Sequence, residues 1–195
     1  MSKKIVIAQG HPDSGSKHLC HALAEAYAAG AREAGFSVTI IDVGALEFPI
    51  LRSADDWNNG ETPEALLEAQ QAVFAADHLV IFFPLWLGTM PALFKAFLEQ
   101  MFRPTLVPGG GDNHAAMMKL LKGKSARIVV TMGMPALAYS LFFRKHSVKL
   151  LQRNILGFIG AGPIRTSLIG LVDNLKPDRA KRLFAKMRKL GRHAR

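Results

Sequence analysis

Three short stretches of this chain carry the residue types that bind and transform ligands. The first is Gly10-His11-Pro12-Asp13-Ser14-Gly15-Ser16-Lys17-His18, between an apolar run and a helical pattern. The start of a helix offers free N–H groups and the positive end of the helix dipole, and so favours an anion. Ser14 and Ser16 add hydroxyls, and His11, Lys17 and His18 add donors or positive charge. These residues make a phosphate cradle. They match neither G-x-G-x-x-G nor the Walker pattern, so a dinucleotide Rossmann site and a P-loop are unsupported. The same stretch also reads as a capped turn with Ser16 as N-cap.

The second stretch is Pro84-Leu85-Trp86-Leu87-Gly88-Thr89-Met90-Pro91-Ala92. Its prolines stiffen it, and Trp86 and Leu87 offer a flat apolar wall to a planar heterocycle; alternatively, Trp86 simply caps the core. The third is Thr131-Met132-Gly133-Met134-Pro135, leading to Tyr139 and His146. Backbone N–H groups near Gly133 suit a ring edge that gains negative charge, and Tyr139 and His146 are candidate catalytic groups. The alternative is a glycine turn and a surface histidine. No clustered ligand set suggests a metal, and the lone Cys20 leaves no intrachain disulfide.

Alternating strands and helices must hold these stretches. Ile5–Ala8, Val38–Ile41, Leu79–Phe83, Arg127–Thr131 and Pro163–Ser167 read as strands, the first and third apolar enough to be buried on both faces. Helices are expected from about Ser16 to Ala34, from a Thr62-Pro63-Glu64 start with Leu66, Leu67, Val73 and Phe74 inward, and from Pro91 to Phe102. A further helix is expected over Tyr139 to about Leu156, and a last one from Pro177. Asp55–Gly60 and Pro104–His114 read as loops. The pattern predicts one α/β domain, residues 1–195, around a parallel sheet. Ligands then bind beyond the carboxyl ends of the strands, where all three stretches fall.

Composition bounds the rest. The 195 residues are 49% hydrophobic and 21% charged, as in a folded domain. No leader or spanning segment stands out, and with the single cysteine this suggests a cytoplasmic protein. The net charge of +10 is concentrated at the end: Lys176–Arg195 holds nine Lys or Arg and one acid, Asp178. That helix is either a solvated face or a dock for an acidic or membrane-associated partner. It lacks interleaved aromatics, so nucleic acid is not expected.

Taken together, the stretches resemble the NAD(P)H:quinone oxidoreductase branch of the flavodoxin-like superfamily, which includes DT-diaphorase and modulator-of-drug-activity quinone reductases. The carrying residues are His11-Pro12-Asp13 with Ser16, and Phe83-Pro84-Leu85-Trp86 with Pro91-Ala92-Leu93 and Lys95. Leu120–Lys124 and Thr131-Met132-Gly133 complete the set. The resemblance implies a flavodoxin-like fold, a five-stranded parallel sheet in the order 2-1-3-4-5, and bound FAD or FMN. It also implies NAD(P)H as electron donor, a quinone or similar planar acceptor, and a homodimer with its active sites at the subunit interface.

Carried over by position, His11, Ser16, Lys17 and His18 fall on the flavin phosphate loop. Pro84, Leu85, Trp86, Leu87, Thr131 and Gly133 fall on the isoalloxazine wall, and Tyr139 and His146 near a charge-relaying pair. Leu87 stands where many relatives have a second aromatic, His18 where some have Asn, and the Tyr-to-His spacing differs by one residue. The implied activity is two-electron hydride transfer, with a one-electron carrier or a flavin-binding regulatory subunit as alternatives. The Gly-rich Pro108–Asn113 suits a substrate lid, and the apolar Pro91–Phe102 helix a subunit contact.

Overall fold

The fold rests on one strand buried along its whole length. In the computed structural model, which describes residues 2–109 and 113–195, β3 (His78–Pro84) has all seven of its residues buried. It pairs with β1 (Lys4–Gln9) and β4 (Ser125–Thr131), and the sheet extends to β2 (Ser37–Asp42) and β5 (Ile164–Ile169) in the order β2-β1-β3-β4-β5. Every pairing is parallel, with Ala8 opposite Ile41 and Ile81 on either side. The edge strands are only partly buried, as expected where one flank meets water.

Alternation along the strands divides the interior in two. Val6, Ala8, Ile81, Phe83, Ile128 and Val130 face one core, covered by α3 (Glu64–Ala75) and α4 (Ala92–Met101). Ile5, Ile7, Val80, Phe82 and Val129 face the other, covered by α1 (Leu19–Glu33) and α8 (Pro177–Arg192). The last two helices touch backbone to backbone. A Cβ on Gly30 would strike the Arg188 carbonyl, and one on Gly191 the Tyr27 carbonyl. Glu33 of α1 also takes ion pairs from Arg188 and Arg192. The basic terminal helix is thus a structural part of the sheet's cover, and Lys181, Lys186 and Lys189 remain exposed on its outer face.

Several expected boundaries move, for local reasons. α1 begins at Leu19, with His18 at the N-cap position and no side-chain cap, so Ser16 is not the cap. Asp55–Gly60 is mostly helix: Ser53 accepts from Asp56 N–H and opens α2 (Ala54–Asn59). Thr62 does not cap α3; Pro63 holds that position, and the Thr62 hydroxyl accepts from Gln70 Nε2 at 3.1 Å. Of the stripe expected on α3, Leu66 and Val73 are buried but Leu67 is exposed.

In the stretch expected as a loop, Pro104–Leu106 forms a 3-10 turn, and Asn113 caps α5 (His114–Met117). Gly110–Asp112, in the stretch expected to form a lid, lie outside the described residues. The helix expected over Tyr139–Leu156 is broken. α6 (Ala136–Leu141) ends before Arg144 and Lys145, which adopt left-handed φ of 49° and 57°, and α7 (His146–Lys149) then widens into a π-helical segment, Leu150–Gly157. The apolar residues of α4 turn inward: Phe94, Phe97, Leu98 and Met101 are buried in the chain's own core.

Polar groups inside the second layer are few and constrained. His78 is fully buried, its Nδ1 2.8 Å from Ser125 Oγ and its Nε2 without a partner among the described residues. Burial, aided by the charges of Lys3 and Arg127, drives its imidazole from 6.5 down to about 4. Between these two values the unfolded chain binds a proton that the folded chain refuses, so stability falls as pH falls through that window. We expect unfolding titrations at about pH 7 and about pH 4.5 to differ by roughly 2–3 kcal/mol more in the native protein than in His78→Leu. An equal pH dependence in both would refute this account of His78.

Candidate functional site

All three chemistry-bearing stretches meet at the carboxyl edge of the sheet, after β1, β3 and β4. After β1 the chain runs from Gly10 to His18 before α1 starts. Among the described residues, the N–H groups of Ser16, Lys17 and His18 and of the first turn of α1 have no acceptor. Ser16 and Lys17 are exposed beside them. The loop is stiffened from within: Gly15 N–H donates to Asp13 Oδ1 at 2.9 Å, and His18 Nε2 lies 2.7 Å from Asp13 Oδ2. That histidine contact, with the Ser16 hydroxyl and the Gly15 N–H, holds the Asp13 carboxyl below its ordinary range.

His11 connects this loop to the wall. Its N–H donates to Gln9 Oε1 at 2.5 Å, and its Nδ1 accepts from Asp13 N–H at 3.1 Å, which leaves the ring proton on Nε2. The ring stacks on His18 with centroids 3.8 Å apart and meets Trp86 edge-on at 5.8 Å. Burial, then the neighbouring His18, pushes the His11 pKa down and favours the neutral ring.

The wall is a tight turn. Trp86 and Thr89 exchange two backbone hydrogen bonds of 2.8 and 2.9 Å, and the central Leu87 and Gly88 both have positive φ, 46° and 79°. Positive φ at both centres is the geometry of a type I′ turn, and it projects its central side chain outward. Leu87 is fully exposed, Trp86 is half exposed, and Leu85 is tied below by its N–H to the Thr131 carbonyl at 2.8 Å. Pro84 and Pro91 are buried at the two ends.

After β4, Thr131 is buried with its hydroxyl 3.0 Å from Cys20 Sγ, and Gly133 is exposed against the Asp173 carboxylate, which occupies the space a Cβ would need. Tyr139 is 1% exposed and packs within the core, stacked on Phe143, with no hydrogen-bond partner for its OH among the described residues. Burial raises its pKa. His146 is exposed at the start of α7, so the two residues differ sharply in access.

Four residues join the site without having been singled out in the sequence. Gln9 ends β1 buried, with Nε2 unpaired. His21 lies 5.6–5.8 Å from the His11 and His18 rings, with neither nitrogen partnered among the described residues. Ser147 is buried and donates to Thr89 Oγ1 at 3.0 Å, tying α7 to the wall. The Cys20 thiol, pushed up to about 11 by burial, is inert packing beneath the edge. The three-residue spacing of His18 and His21 on α1 was a usable signal; nothing in the sequence marked Ser147. Among the described residues, no three His, Cys, Asp or Glu side chains are placed to hold a metal.

The edge suits a flavin: free N–H groups at the start of α1 for a phosphate, unpaired buried amide and imidazole nitrogens behind them, and an apolar turn for a planar ring. Fold and site together define a doubly wound α/β protein with an anion-ready helix start and an apolar wall on one sheet edge. More particularly, the chain belongs to the family described as having the flavodoxin-like fold, whose sequence model matches residues 3–193.

Over 88 residues it is 34% identical to FMN-dependent NADH:quinone oxidoreductase 1 of Colwellia psychrerythraea, a match covering 45% of this chain and less than half, 43%, of that relative. An uncharacterized NAD(P)H oxidoreductase of Haemophilus influenzae is 24% identical over 191 residues, 96% of this chain and 92% of its own. The solved NAD(P)H:quinone oxidoreductase from Methanothermobacter marburgensis superposes with a TM-score of 0.80 over 99% of this chain and 96% of that one, at 17% identity, and so shares the fold.

Because Ser16 caps nothing, its replacement separates binding from stability. Ser16→Ala is expected to leave unfolding of the flavin-free protein within about 0.5 kcal/mol of native, far from the loss of about 1 kcal/mol that a removed cap brings. Flavin affinity should fall about ten- to a hundredfold with one charge-assisted hydrogen bond lost. Unchanged flavin affinity by fluorescence titration would remove Ser16 from the site.

Proposed function

We propose that the protein is an FMN-dependent NAD(P)H:acceptor oxidoreductase that reduces a quinone or similar planar acceptor by two-electron hydride transfer. The observation that carries this reading is that the donor-rich start of α1 and the Trp86–Leu87 wall share one sheet edge and are coupled through His11. The names of the relatives agree with it. FMN, when bound, supplies the capacity to accept a hydride from one substrate and release it to the next.

The chain's own residues do the rest. The N–H groups from Ser16 into α1, with Lys17, His18 and the Ser16 hydroxyl, bind the phosphate. His11 fixes the cradle relative to the wall, where Trp86 and Leu87 cover the ring and keep water from it. N–H groups near Gly133, beside the Asp173 carboxylate, donate to a polar atom at the ring edge. His146, exposed beside the wall, holds a ring N–H in reach of an acceptor oxygen, and Tyr139 orients the segment that carries it. A one-electron carrier needs only an exposed ring edge, whereas this edge has an open cleft against Thr89 and His146.

The active unit is a homodimer in this reading. Leu137, Leu141, Phe142 and Phe143 form an exposed apolar patch on and just after α6, with Phe142 82% exposed. A second copy covering it brings two wall turns toward a shared interface. The remaining cations of α8 are left for an acidic or membrane-associated partner, and no described helix is long and apolar enough to cross a membrane. The free thiol agrees with a cytoplasmic site of action.

Purified protein should be yellow or become so with FMN, should release FMN rather than FAD by mass spectrometry, and should oxidise NADH or NADPH with a benzoquinone. Binding of neither flavin would refute the central reading; binding without quinone turnover would leave the carrier. Phe142→Glu should shift sedimentation from dimer to monomer, and a native protein that is monomeric while active would refute the dimer.

A further inference from the structure

Between the wall turn and α7 lies an open cleft of about 630 Å³. Arg144, Lys149 and Arg153 line it, with His146 and Ser147 at the end nearer Thr89. Among the described residues no carboxylate lines this cleft, and none pairs with these three cations. Arg188 and Arg192 on α8, by contrast, are paired with Glu33. Like charges gathered in a cleft repel one another and focus a positive potential into it, which a bound anion relieves. The backbone is held to this arrangement: Arg144 sits at the left-handed break that ends α6 and aims α7 across the cleft, a conformation rarely adopted by residues other than glycine.

The position of the cleft limits its ligand. One end is the Leu87–Thr89 side of the wall, so a molecule bound there can lay a planar ring on the site while its anionic part lies among the three cations. A quinone is uncharged and leaves them uncompensated. A nicotinamide dinucleotide carries a planar ring linked to two phosphates, with a third on the 2′ position in NADPH. We propose that Arg144, Lys149 and Arg153 bind the phosphates of the nicotinamide dinucleotide donor and so set its affinity. This assignment rests on the oxidoreductase reading above, and it gives the cations a binding role without a part in hydride transfer.

The test uses the FMN-loaded protein and a Lys149→Gln/Arg153→Gln variant, with Lys186→Gln/Lys189→Gln on α8 as a control that removes the same charge elsewhere. NADP⁺ affinity by calorimetry should fall at least about tenfold in the cleft variant and stay native in the control, as expected when charge contacts at one site are lost. The salt dependence of NADP⁺ binding should also flatten in the cleft variant. The donor KM should rise in step, with kcat and the quinone KM unchanged. NADP⁺ affinity within twofold of native, or an equal loss in the control, would overturn the assignment. A raised KM confined to a sulfonated quinone, with the donor unaffected, would overturn it in favour of an anionic acceptor. A native protein whose bound FMN is not reduced by NADH or NADPH overturns the oxidoreductase reading itself, whereas normal reduction with an unaltered cleft variant overturns only this assignment.

Discussion

Burial of β3 on both faces is the constraint from which the rest follows. A strand with no exposed residue must be paired on both sides and covered above and below, and here parallel neighbours and helices on each face do so. Parallel strands all end on the same side, so the loops after β1, β3 and β4 are delivered to one edge whatever their sequences. At that edge the N–H groups of Ser16–His18 are left without acceptors among the described residues, and His11, Trp86, Thr131 and their neighbours come together. The chemistry sits where covering the core leaves room for it.

Within that edge, coupling is carried by a few short contacts rather than by a pocket closed on all sides. His11 touches the end of β1 through Gln9, the Gly10–His18 loop through Asp13 and His18, and the wall through Trp86. Ser147 and Thr89 tie the wall to α7 in the same way. The links of His11 to Trp86 and of Ser147 to Thr89 join segments far apart in the chain and tie the loops to one another. Such a site is set by second-layer contacts, and its geometry depends on residues that touch no ligand.

The strands and the sheet covered on both faces were legible in the sequence, because short apolar runs such as Ile5–Ala8 and Leu79–Phe83, alternating with helical patterns, suit strands buried on both sides. The resemblance supplied the order of the edge strands, which periodicity does not encode. What was misread depended on local competition. Ser16 has the chemistry of a cap, but the loop needs two more residues before its N–H groups turn helical, so α1 starts at Leu19. Ser53 does cap a helix that polar composition disguised as a loop. Arg144 and Lys145 carry no glycine or proline to announce the break they make. The burial of Tyr139 and the role of Ser147 arise from that break and were therefore invisible to pattern.

The wall turn separates two demands that usually conflict. Its shape is fixed by the paired backbone bonds of Trp86 and Thr89, while Leu87 at its tip touches almost nothing of its own chain. Such a side chain can vary among the residues that accept its positive φ of 46°, and burying a leucine against something else is worth about 1.5–3 kcal/mol. Position 87 is thus an evolutionary dial. Drift there changes what the turn can cover, while the paired backbone bonds of Trp86 and Thr89 keep its shape.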